Sequence, residues 1–152
     1  MTTFFAFLHH LFAFTLVSAL AVEFILIGQA RSEALSLSIA RRLAVADAVL
    51  GVSATLLLVV GLLRVFYFEK GAAYYFHNHA FLTKLSLFIL VAIMSLVPTF
   101  EFLSWRRALS EGRTPVINMR KMRTVRMIIH AELAAVVVIL LCAAIMARGG
   151  WI

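Results

Sequence analysis

The sequence predicts an all-α integral membrane protein, an up-down bundle of four spanning helices. Apolar residues make up 64% of the 152 positions and charged residues only 14%, against about 25% charged in soluble domains. The apolar residues gather in four long stretches, each near the roughly 20 residues that a helix needs to cross a bilayer core. None of the stretches alternates with the two-residue period of a barrel strand, so helices satisfy the backbone in lipid. One cysteine, Cys142, excludes a disulfide scaffold and reads as a packing residue.

The chain reads as one domain over 1–152, with helices at about 4–28, 43–66, 81–103 and 127–147. The first contains Ser18-Ala19-Leu20-Ala21, which looks like a cleavage site, yet no Lys or Arg precedes Arg31. Its apolar run also exceeds the roughly 7–15 residues of a signal peptide, so it is expected to be a retained helix. The second carries Asp47 on one face with Gly51, Ala54, Leu58 and Gly61. That row should let another helix approach closely, with Asp47 turned inward towards Arg42 or a cation of the long link. In the third, Pro98 follows Ser95 and should kink the helix or open a backbone gap. Tyr67, Tyr74 and Tyr75 mark an aromatic belt between the second and third. The link from Ser104 to Val125 turns at Gly112 and Thr114-Pro115, and Met119 to Met127 is expected to lie along the interface as a basic amphipathic run.

The net charge of +7 is a topology signal. Arg31, Arg41 and Arg42 follow the first span, and Arg106, Arg107, Arg113, Arg120, Lys121, Arg123 and Arg126 follow the third. These hold ten of the fourteen basic residues, whereas Lys70 and Arg148 fall on the opposite side, with Arg64 near that surface. The positive-inside rule then puts the basic links in the cytoplasm and both termini outside, as in a multi-pass protein of a bacterial inner membrane. Anionic lipid is the expected partner of the basic link, and nucleic acid is not needed to explain it.

Ionisable groups inside spans are costly, so each needs a reason. An outer cluster contains His9, His10, Arg64, His77, His79 and Lys84. Neutral imidazole ligates iron, copper or zinc, and Arg and Lys pair with carboxylates. An inner cluster contains Glu23, Asp47, Glu101, His130 and Glu132. Glu23 shares a face with His9, Glu101 suits an interfacial ion pair, and His130 and Glu132 point about 200° apart on one helix. No Gly-rich phosphate loop, Cys-x-x-Cys or His-Glu-x-x-His occurs in the sequence.

Several runs resemble an uncharacterised family of small bacterial predicted membrane proteins. They are Phe7-Leu8-His9-His10 with Ala19 and Glu23, Arg64-Val65-Phe66-Tyr67-Phe68-Glu69-Lys70-Gly71, and Tyr74-Tyr75 with Asn78. Lys84-Leu85-Ser86-Leu87-Phe88 and Ser95-Leu96-Val97-Pro98-Thr99 complete the likeness, which covers nearly the whole chain and implies no activity. More distantly, His10 early in the first helix and Lys84 early in the third resemble the HemJ-type protoporphyrinogen oxidases, four-helix proteins thought to bind haem b. Val17 stands where that family carries tryptophan, and His79 lies five residues before the lysine.

Three functions are therefore expected to compete. The leading one is a protein that binds haem b or a related redox cofactor near the outer face, with an electron-transfer or oxidase role. His10 would be the axial ligand with His9 as second choice, His79 a further ligand, and Arg64 and Lys84 the partners of the propionates. The second is a small proton- or cation-conducting transporter or channel, with Glu23, Asp47, His130 and Glu132 along its path. The third is an accessory subunit without a site of its own. A homo-oligomer or a redox partner would be compatible with these readings.

Overall fold

The computed structural model describes residues 1–32, 35–68 and 71–148. Along the chain they form α1 (Thr2–Ser32), α2 (Leu37–Leu63) running into a π-helical turn (Arg64–Phe68), short α3 (Ala72–Phe76), α4 (His79–Ser104), short α5 (Arg106–Ser110) and α6 (Met119–Ala147). No strand occurs among the described residues. Four helices, α1, α2 with its π turn, α4 and α6, are long and apolar enough to span a membrane. Each outruns its apolar stretch, because polar flanks remain helical until a cap ends them. Met119 to Met127, expected to lie along the interface, is instead the opening of α6. Lys70 falls outside the described residues.

Three of the long helices begin at a side chain that accepts from the free N–H groups of the first turn. Ser36 Oγ accepts from Ile39 N at 3.2 Å, Asn78 Oδ1 from Phe81 N at 3.1 Å, and Asn118 Oδ1 from Arg120 N at 2.9 Å. After α5, Gly112 takes a φ of 68°, and Arg113 N donates back to Ala108 O at 2.8 Å to close the turn. Pro98 lies buried within α4, where it offers no N–H to the preceding turn.

α1 lies closest along α2, and α4 along α6. Looser contacts of α2 with α4 and of α1 with α6 close the ring, while the backbones of the diagonal pairs stay farther apart. Consecutive spans are therefore antiparallel neighbours in an up-down bundle. One face carries the N-terminus, the π turn, α3 and the end of α6 (the terminal face). The other carries α5 and the starts of α2 and α6 (the basic face).

The inward stripe of α1 runs through Leu16, Ala19, Leu20, Glu23, Leu26, Ile27 and Ala30, all buried at spacings of three and four. It meets Leu43 of α2, Phe102 of α4, and Val125 and Ile129 of α6. Outward-facing Ile93, Phe100, Val137 and Leu140 would meet acyl chains. Lipid is as apolar as these side chains, so close van der Waals packing holds the helices together. At the basic face Glu101 Oε2 pairs with Lys121 Nζ at 3.4 Å, the interfacial pair expected of it, and Trp105 Nε1 donates to Glu101 Oε1 at 3.4 Å.

The Asn78 cap should be worth about 1 kcal/mol. Asn78→Ala is expected to lower thermal stability in detergent by that amount, while Asn78→Ser, which can cap in the same way, retains most of it. Equal melting of all three proteins would show that the cap contributes nothing.

Candidate functional site

Two polar centres lie inside the bundle. The first is a cavity of about 300 Å³ near the terminal face, walled by α1, α2, α3, α4 and α6. His9, His10, Arg64 and Lys84 supply its polar lining, and Tyr75, Phe81 and Phe88 are among its aromatic walls. The inward stripe of α1 brings His9 there, where the imidazole rests on Gly61 of α2. A Cβ at Gly61 would stand 3.2 Å from His9 Cε1 and 3.5 Å from Nδ1. Nδ1 of His9 is buried and meets no hydrogen-bond partner among the described residues.

His10 is more exposed and lies at the rim of the same cavity. Its Nδ1 is 2.7 Å from Ala6 O. A carbonyl can only accept, so Nδ1 carries the proton and Nε2 keeps a lone pair for a ligand. Lys84 Nζ stands 5.7 Å from the centroid of the Phe81 ring, where the face of the ring draws a cation. Arg64 enters from the π turn, a widened helical turn of a kind often found at functional sites.

The second centre holds three acids from three helices. Glu23 of α1 is 0% exposed, Asp47 of α2 5% and Glu132 of α6 1%. Glu23 lies within electrostatic range of both Asp47 and Glu132. Both carboxylate oxygens of Glu23 lack a hydrogen-bond partner among the described residues, and those of Glu132 make no bond of ordinary geometry, although Ser95 of α4 approaches. Asp47 Oδ1 accepts from Thr99 Oγ1 of α4 at 2.8 Å. Arg42 and the long link do not pair with Asp47, contrary to expectation. The described ion pairs involve only Glu101 and Glu111. Glu23 lies about 14 Å along α1 from its basic-face end, and Asp47 about 15 Å along α2.

Other candidates lie elsewhere. His79 is exposed at the start of α4 and does not line the cavity. His77 is also exposed, with Nδ1 2.7 Å from Ala73 O. His130 sits on the exposed side of α6, against Phe24 at 4.9 Å between ring centroids, and does not join Glu23, Asp47 and Glu132. Within the row expected to receive another helix, Gly61 meets His9 of α1, whereas Gly51 is exposed with nothing within 4 Å of an added Cβ. No group of three or more His, Cys, Asp or Glu among the described residues is arranged to hold a metal ion. Sequence reasoning missed Thr99 as the partner of Asp47. Its signal was the pair Ser95 and Thr99, two hydroxyls one helical turn apart in the otherwise apolar stretch from Leu87 to Phe100.

Among known families, the one described as predicted membrane protein (DUF2214) matches residues 1–150. No curated protein and no solved structure matches the chain. The distant likeness to HemJ-type oxidases finds no support there.

The contact of His9 with Gly61 gives a direct test. Gly61→Ala should cost little, since only a ring edge must move, whereas Gly61→Val should displace the imidazole and cost about 1–3 kcal/mol. Thermal unfolding together with the His9 imidazole nuclear magnetic resonance signals would read both effects. An unchanged His9 environment in Gly61→Val would refute the contact.

Proposed function

The chain belongs to the DUF2214 family of predicted membrane proteins, and from that premise we propose that its terminal-face cavity holds an anionic, largely apolar cofactor. The observation behind this reading is the convergence of His9, His10, Arg64 and Lys84 on one space with aromatic walls. Cations would hold carboxylates, the walls would hold an apolar body, and imidazole would ligate a metal. By the positive-inside rule the basic face lies in the cytoplasm of a bacterial inner membrane, and the cavity opens towards the outside.

Haem b is the specific candidate. Arg64 and Lys84 would pair with its propionates. His10 would hold its iron, with Nδ1–H held by Ala6 O as the second nitrogen of a metal-bound histidine commonly is. His9 is the second choice, and His79 drops out because it does not line the cavity. Bound haem would supply electron-transfer chemistry, with potential set by axial ligand and burial. About 300 Å³ is at the lower end of small-molecule sites. A macrocycle would therefore require the α1–α2 and α4–α6 pairs to part along their looser seam.

A second reading rests on a different observation, the three buried acids. An isolated carboxylate in so apolar a place is relieved by a proton or a cation. Glu23, Asp47 and Glu132 would be stations of a proton path, with Thr99 and Ser95 as hydroxyl relays. His130 falls out of that path because it lies on the exposed side of α6.

The absorption spectrum of protein purified from haem-supplied cells tests the first reading. A Soret band lost in His10→Ala is expected, and a wild-type protein without the band would refute haem. Proton flux into liposomes tests the second. Asp47→Asn and Glu23→Gln should each abolish most of it, and identical traces for wild type and empty vesicles would remove the path.

A further inference from the structure

We propose that the groove between α1 and α6 at the basic face binds one anionic phospholipid, independently of the cavity and the acids. The groove encloses about 660 Å³. Its polar side is Arg123, Arg126 and His130 of α6, and its apolar floor is Phe24, Ile25 and Gly28 of α1. The three basic residues follow one another at spacings of three and four, so they line one stripe of the helix.

Among the described residues the charge of this stripe is unopposed. No carboxylate lines the groove, and neither Arg123 nor Arg126 has an ion-pair partner among the described residues. His130 Nδ1 donates to Arg126 O at 2.7 Å, which fixes the imidazole at the inner end of the groove and leaves the two arginines as its anion-binding groups. The Phe24 ring holds the imidazole in place from across the groove, at an interplanar angle of 65°.

Depth identifies the occupant. Arg123 and Arg126 lie about 6 and 10 Å from the start of α6, just before the apolar run that opens at Met127. The arginines thus sit where lipid phosphates lie, and the apolar floor runs from Gly28, level with Arg126, inward to Phe24, which packs on His130. That is the polarity of a phospholipid. A guanidinium can bind a phosphate through two parallel N–H bonds, and basic pockets between spanning helices are established seats for anionic headgroups. Gly28 leaves room beside Arg126 for the headgroup end of the lipid, since a Cβ there would meet nothing within 4 Å.

Native mass spectrometry of the full chain, released from micelles with equal phosphatidylglycerol and phosphatidylcholine, tests the site. One phosphatidylglycerol should be retained in preference. The double change Arg123→Ala with Arg126→Ala should weaken retention about thirtyfold, roughly fivefold for each cation at the surface. Arg106→Ala with Arg107→Ala, exposed arginines of the same face, should leave it unchanged. Gly28→Leu should lower retention without altering charge, and it decides the matter alone if the arginine variant fails to fold. Excess inorganic phosphate should not displace the lipid. Equal retention of both lipids, undiminished binding in folded Arg123→Ala with Arg126→Ala or in Gly28→Leu, or displacement by phosphate would each overturn the proposal.

Discussion

Glu23, Asp47 and Glu132 stand in the middle of stripes whose other members are mostly apolar and buried. A charge turned to face acyl chains at mid-helix costs about 2.5–3.5 kcal/mol on insertion scales. Each of α1, α2 and α6 therefore has one side that cannot rotate outward. On α1 the same rotation carries His9, nearly four turns away, into the cavity. Burial of the acids in one half of the bundle thus fixes the direction of the imidazole in the other.

Depth was legible in the sequence and direction was not. Helical rise converts residue number into depth, so the two polar levels followed once the spans were recognised. The azimuth of a side chain depends on which neighbour its helix meets, which a single sequence does not state. His9 and Glu23 were predictable as a pair because they share a helix and its phase. His79 was grouped by depth with His10 but lies on an exposed part of α4, and His130 was grouped with Glu132 although the two point apart. The helices run beyond the apolar stretches for a related reason. Apolarity ends where the membrane does, whereas a helix ends where a cap or a turn supplies its free backbone groups, as at Asn118.

Both polar centres lie where the α1–α2 pair meets the α4–α6 pair. That seam is the looser contact of the bundle. Polar side chains of the two pairs meet across it, as Thr99 of α4 meets Asp47 of α2.

The seam also divides the polypeptide into two helical hairpins, each holding half of every polar centre. The first contributes His9, Arg64, Glu23 and Asp47, and the second contributes Lys84, Thr99, Ser95 and Glu132. Neither half can shelter its own carboxyls on entering the bilayer. The acids that make each hairpin unstable alone are what the other hairpin recognises, with Thr99 meeting Asp47 as the clearest such contact. Assembly is thereby written into the same residues as the candidate chemistry, and the halves would be expected to find each other even when synthesised as separate chains.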